Sequence, residues 1–311
     1  MNFWSTNEPF AISALIIVLG YALKSFRVLD ERDGEALAKV ALNVTLPAII
    51  LLSIPAVPLE GSNLFLPVIP LLGAGITAGI AVKAFRKQEP RDLGLSMTAS
   101  VGYNIGLFAI PLVSGLYGAE GIARFAMIDI GNAFVIFGFS NFLAAKYTAE
   151  NRIKKLDISY VVLMFLKSVP FVTYLVALGL NLAGIRITGF LARALEVPAA
   201  MNRGVSLLAL GVLLQLKLAP GTWKAIWPTL TLRYAFGVAA GAAVLLWLPM
   251  PIETRVIIAG VLVMPVGLAV IPYAVRWGYD RNRAAAILNV GIPISFLLFW
   301  TVYIVGGRLA L

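Results

Sequence analysis

Windows of about 20 predominantly apolar residues recur along this chain, and that recurrence constrains the fold more than any other feature. Hydrocarbon offers no water to a polypeptide, so a crossing segment must satisfy its own backbone N–H and C=O groups. An α-helix does so and an open strand does not. Ten windows are found, centred near Ile16, Pro47, Gly73, Gly106, Phe134, Tyr174, Leu210, Ala239, Val263 and Phe296. Composition supports the reading: 60% of the 311 residues are hydrophobic and 13% charged. A soluble domain is nearer about half and about a quarter. The expectation is an all-α integral membrane protein of ten transmembrane helices. Leu191 to Arg203 reads as an amphipathic stretch lying on the membrane surface. The N-terminal MNFWSTNEPF lacks the basic region of a signal peptide, so the first window is read as a retained span.

The net charge of +10 would suggest nucleic acid in a soluble protein. Here the basic residues cluster between apolar windows, where they set orientation, and no nucleic-acid partner is expected. Of the 25 basic residues, 17 fall in odd-numbered connections, led by Lys24, Arg27, Arg32 and Lys39 after the first window. Six lie on the opposite side, and Lys167 and Arg233 lie within windows. The positive-inside rule then makes the odd connections cytoplasmic and leaves both termini outside a multi-pass protein of the cell membrane. The chain has no cysteine and no histidine. That excludes disulfides, thiolate chemistry, Cys/His metal sites, Ser-His dyads and HExxH helices. No cofactor and no enzymatic activity is expected.

The longest polar connection, Lys146 to Asp157, separates residues 1–157 from 158–311, five windows each. GLFAIPLVSGLYGAEG at Gly106 resembles GLAVIPYAVRWGYDRN at Gly267. Gly106, Leu107, Ile110 and Pro111 match Gly267, Leu268, Ile271 and Pro272 at an offset of 161. After a one-residue slip, Asp129 pairs with Asn289. Five is odd, so two such halves in series enter the membrane from opposite sides. The expectation is a 5+5 inverted repeat, as in many secondary transporters.

Gly106 and Pro111 interrupt the fourth window, and Pro265, Gly267 and Pro272 interrupt the ninth twice. A single kink would be ordinary in a membrane helix. Two interrupted helices at matching repeat positions point to a binding site. Half-helix N-termini there offer N–H groups to an anion, and freed carbonyls can hold a cation. Asp129 lies about eight residues, or roughly 12 Å, inside the fifth window, and Asn132 shares its face. Unpaired and ionised, Asp129 would cost at least ~2.5–3.5 kcal/mol. It therefore faces water, pairs, binds a cation or is protonated. The sharp reading is an ion-coupling group, for a proton or for Na+ near Asp129; the plain one is a structural carboxylate bonded to a neighbouring helix or to Arg124. Asn43, Asn104, Asn132, Asn289 and Gln215 are deep amides that either glue helices or hydrogen-bond a carboxylate. Lys167 and Arg233 sit about seven residues inside a span end and are read as snorkelling to the interface. Trp223 and Trp227 read as an interfacial belt.

Three stretches resemble the auxin efflux carrier family, which includes bacterial malate and malonate permease-like proteins and the plant auxin exporters. LNVTLPAII is similar to the family's Asn-Val-x-x-Pro segment. GYNIGLFAIPL is similar to its Asn-x-Gly-x-x-Gly-x-Pro signature, with Asn104, Gly106 and Pro111 in register. MPVGLAVIPYAVRWGYDRNRAAAILNVGIPIS is similar to its ninth and tenth spans. Ala109 stands where the signature carries a second Gly, and Lys146–Asp157 is short, so a bacterial-type carrier is expected. The resemblance implies broken helices 4 and 9 that cross, in the manner of bile-acid symporters and sodium/proton antiporters. It implies scaffold and transport subdomains each built from both repeats, a homodimer, and small carboxylates as substrates. Asn104, Gly106 and Pro111 would border the substrate in one repeat, and Pro265, Gly267 and Pro272 in the other. Asn43, Gln215 and Asn289 complete the candidate substrate set.

Two other readings compete. A sodium-coupled organic anion symporter of bile-acid carrier type uses the same architecture. A non-transporting membrane receptor belongs to another class. An intramembrane aspartyl protease needs two carboxylates, and only Asp129 lies deep inside a window.

Overall fold

Proline, glycine and polar pairs cut the apolar windows into the helices of the computed structural model, which describes residues 3–57, 61–148 and 158–309. The boundary expected after Asp157, with Arg152, Lys154 and Lys155, lies outside the described residues. Among the described residues there are helices and no strand. In order they are α1 (Phe3–Ser25), α2 (Glu31–Val40), α3 (Leu46–Ser53), α4 (Gly61–Leu64), α5 (Val68–Ala84), α6 (Pro90–Ser100), α7 (Ile110–Val113) and α8 (Ala119–Ala133). There follow α9 (Asn141–Lys146), α10 (Ile158–Lys167), α11 (Val169–Leu182), α12 (Gly189–Leu213), α13 (Thr222–Trp247), α14 (Ile252–Leu262), α15 (Val270–Trp277) and α16 (Arg281–Leu309). Three π-helical segments, Ala41–Thr45, Ile105–Ala109 and Phe134–Ser140, lead into α3, α7 and α9. The windows do not announce these segments, because a π turn changes hydrogen-bond register without changing apolarity.

Among the described residues, five helical stretches are long and apolar enough to cross a membrane: Asn7–Ser25, Glu31–Ala56, Ala119–Lys146, Thr222–Trp247 and Arg281–Leu309. Pro90–Ser100 with Ile105–Val113, and Ser159–Lys167 with Val169–Leu182, pass the same test as broken pairs, giving up to seven. The chain is thus a membrane protein, helical throughout the regular structure of its described residues. Exposed Trp223 and Trp227 lie in the first two turns of α13.

The residues divide into two compact units, each drawing on both sides of residue 157. The first unit takes Met1–Leu64, Ile105–Met127 and Lys167–Leu214. Its centre is α12, against which α1, α2, α3 and α7 pack. Gly20 and Gly211 let α1 and α12 approach backbone to backbone: a Cβ on Gly20 would lie 3.0 Å from the Gly211 Cα. Arg203 of α12 donates to the Pro9 carbonyl at 2.6 Å and to Ser13 Oγ at 3.0 Å. Buried Asn202 donates to Thr45 Oγ1 at 2.8 Å. Leu191 to Arg203 is therefore not a separate surface segment but the first part of one continuous helix. The second unit takes Phe65–Asn104, Ile128–Leu166 and Gln215–Leu311. Within it α13 packs against α14 and α16, and α6 packs against α9. Tyr234 of α13 bonds both the Gly291 carbonyl at 2.7 Å and Ser295 Oγ at 2.8 Å on α16.

Candidate functional site

Two helices of the second unit stop where a plain span would continue. α6 ends at Ser100, and residues 101–104 are not helical. Gly102 carries φ +74 there, and a Cβ would lie 3.1 Å from Ile136 Cγ1, so both backbone sterics and space select glycine. α14 ends at Leu262, and α15 resumes at Val270. The interruptions are joined: the Asn104 N–H donates to the Pro265 carbonyl at 2.9 Å. Residues 104 and 265 stand at the 161-residue offset that relates the two similar sequence segments. The reciprocal bond cannot form, because Pro265 has no N–H. Gly267 lies close by: a Cβ there would come within 2.9 Å of Ile136 Cδ1 and 3.6 Å of the Tyr103 carbonyl.

The first break is held from two directions. On one side Asn132, fully buried on α8, makes an amide pair with the Tyr103 backbone. Its Oδ1 accepts from the Tyr103 N–H at 2.9 Å, and its Nδ2 donates to the Tyr103 carbonyl at 2.8 Å. The same Nδ2 donates to Asp129 Oδ1 at 2.7 Å, one turn earlier on the helix. Asp129 is 9% exposed and is thus tied to the break through one amide. On the other side stands Arg233 of α13, 3% exposed. Its Nε and Nη2 donate to the Met264 carbonyl at 3.1 and 2.8 Å, and Nη2 also reaches the Gly102 carbonyl at 2.6 Å. Nη1 donates to the Ala99 and Ser100 carbonyls at 3.5 and 3.3 Å. The guanidinium also lies over the Tyr103 ring, 5.0 Å from its centroid.

This overturns the expectation that Arg233 snorkels to the interface. Its position along the helix suits a snorkelling stem, but unpaired carbonyls at two helix ends lie within its reach. They replace water for a charge that would otherwise have to leave the protein. Lys167, by contrast, is exposed at the end of α10.

The other candidates separate. Asn104 is 5% exposed, and its Nδ2 has no hydrogen-bond partner. Asn289 is buried on α16, and Pro293 four residues on removes the N–H that would bond its carbonyl. That helix passes the second break, since a Cβ on Gly291 would lie 3.5 Å from Pro265 Cβ. Gly106 and Pro111 belong to the first unit, where Pro111 occupies the first turn of α7, a position a helix tolerates. Pro272 is exposed in the first turn of α15 and opens no second break. Asn43, in the Ala41–Thr45 π segment of the first unit, is exposed and bonds back to the Lys39 carbonyl at 2.9 Å. Gln215 is half-buried and lies beyond the end of α12. Asn43 nevertheless lies within a candidate span, Glu31–Ala56. Among the described residues no group of three His, Cys, Asp or Glu side chains is placed to hold a metal ion.

Chemically, the second unit brings together one carboxylate, one guanidinium bonded throughout to main-chain carbonyls and a buried amide with an unused donor at two helix interruptions. Comparison with known proteins points the same way. A family model described as membrane transport protein matches residues 7–304. An uncharacterized transporter of Methanothermobacter thermautotrophicus is 29% identical over 140 residues, 43% of this chain and 46% of that protein. An uncharacterized transporter of Methanocaldococcus jannaschii is 26% identical over 143 residues, 44% of this chain and 46% of that one. The matched stretch thus spans a little under half the length of either relative.

Proposed function

The chain belongs to the membrane transport protein family, that of the auxin efflux carriers, and from that premise we propose a secondary carrier of small organic anions. The substrate class is a dicarboxylate such as malate or malonate, or an auxin-like carboxylate. It binds at the interruptions of the fourth and ninth spans and passes by alternating access. The frame is ten spans in a 5+5 inverted repeat in the cell membrane, both termini outside, assembled as a homodimer. Two features support this frame: each compact unit draws on both halves of the chain, and Asn104 bonds the residue 161 positions later.

One observation carries the substrate reading. Asn104 Nδ2 is a buried donor with nothing to bond, beside two interrupted helices. An unmet buried donor costs about 1–3 kcal/mol, and a ligand carboxylate would recover it. All five guanidinium N–H groups of Arg233 are already taken by carbonyls, so anion recognition falls to neutral donors: the Asn104 amide, Asn289 and backbone N–H groups. Asp129 is the coupling group, releasing and taking up a proton as its link through Asn132 to the break changes. A sodium-coupled symporter is the second reading, favoured by the oxygens of Asp129 in the same place.

The test is a thermal-shift titration of the purified protein with malate, malonate, succinate, citrate and indole-3-acetate. At least one is expected to raise the melting temperature. Asn104→Ala is expected to melt close to wild type, since it discards an unbonded donor, yet to need roughly tenfold more ligand. Unchanged affinity in that variant, or no response to any of the five, overturns the reading.

A further inference from the structure

Arg233 is a buried, heavily hydrogen-bonded charge of the second unit, and no carboxylate balances it. It makes five hydrogen bonds, all to main-chain carbonyls: Ala99, Ser100, Gly102 and, twice, Met264. No carboxylate within ion-pair distance accompanies them, in contrast to Arg124, which pairs with Glu120, and Arg283, which pairs with Asp92. Its carbonyl partners come from two helix ends. Ala99 and Ser100 close α6, Gly102 lies in the break after it, and Met264 lies just past α14. Each of these ends carries the negative pole of its helix and carbonyls with no intrahelical donor. A ring of carbonyl oxygens from interrupted helices, buried and facing one point, is the environment that holds a desolvated cation in transporters. Here a side chain fills it.

We propose that Arg233 is a built-in cation that occupies the place a diffusible coupling ion would take at the two breaks. The guanidinium neutralises the facing helix ends, fixes the Val101–Asn104 turn by its bond to Gly102, and leaves no carbonyl cage there for sodium. It acts as a positioning residue: it holds the break in which Asn104 presents its amide, and it touches no substrate. The consequence for coupling rests on the carrier reading: with that cation site permanently filled, sodium is not required for transport. The cation-holding role itself stands on the bonds alone.

The experiment uses the full chain purified in detergent, with melting followed in sodium, potassium or choline chloride at equal ionic strength. Wild type is expected to melt at one temperature in all three. Arg233→Ala removes a buried charge from two helix ends and is expected to melt about 10 °C lower. Added guanidinium ion is expected to restore part of that loss, and sodium a smaller part, whereas choline restores none. Arg233→Lys, which keeps the charge but lacks the fork, is expected to fall between. An arginine that merely fills space would show the loss without cation-selective rescue, and that outcome overturns the proposal. Sodium-selective stabilisation of wild type also overturns it. Should Arg233→Ala not fold, the wild-type salt series and Arg233→Lys decide. Failure of the carrier reading would appear in ligand binding or flux and leave these melting curves as they are.

Discussion

Asn132 does two jobs with one amide: it closes the peptide of Tyr103 and holds the carboxylate of Asp129. Replacing it by alanine would leave a buried N–H and C=O unpaired and a buried carboxylate short of a donor. The expected loss is about 3 kcal/mol, read as a clear drop in melting temperature. A variant that melts within a degree of wild type would show that the amide pair does not hold the break. That Asn132 shares a helix face with Asp129 is legible from their spacing; that its main partner is a backbone 29 residues away is not. The setting of Arg233 is hidden from the sequence for the same reason. Counting residues from a span end gives depth, not direction, and its partners are carbonyls freed by breaks in two other helices. Asn43 lies within the candidate span Glu31–Ala56 yet turns out of its helix, a direction that apolar surroundings in sequence do not give, and Gln215 follows the end of α12.

At the scale of elements, the second break is legible because Pro265 and Gly267 fall inside it, at residues 263–269, whereas the first, at residues 101–104, precedes Gly106 and Pro111 and turns on Gly102 instead. The single break in the second case follows from proline's tolerance of a first helical turn, which absorbs Pro272. The corner between α15 and α16 is another element-scale device. Gly278 ends α15 in the left-handed conformation at φ +75, and Tyr279 then turns inward to donate to the Ala144 carbonyl of α9 at 2.5 Å. Asp280 caps α16 through the N–H groups of Asn282 and Arg283, and Arg283 reaches Asp92 of α6 at 2.6 Å. Burial holds the Tyr279 phenol above its ordinary value of 10.0. A raised folded value means the contribution is whole below pH 10, where folded and unfolded phenols are both protonated. It is lost as the pH climbs from there toward the folded value. Tyr279→Phe should therefore melt lower than wild type at neutral pH, by about 1 kcal/mol, and the gap should narrow above pH 10. Curves that stay parallel to strongly alkaline pH would remove Tyr279 from that role.

For the whole molecule, apolar windows and charge asymmetry carry the membrane class, because hydrocarbon and surface potential act on composition regardless of packing. They do not carry the division into two units, in which each unit gathers three separated stretches of chain. That division depends on which helix faces meet, and apolarity on nearly all sides hides those faces from periodicity. The proposed function belongs to this scale: a carrier of small organic anions, coupled through Asp129 and independent of sodium. The most direct measurement is uptake of labelled malate or malonate into proteoliposomes, with pH and sodium gradients imposed separately, for wild type and Asp129→Asn. Uptake driven by the pH gradient alone is expected in wild type, and none driven by it in the variant, which still folds and binds. Uptake that follows sodium alone, or undiminished pH-driven uptake by Asp129→Asn, would overturn the proposed coupling.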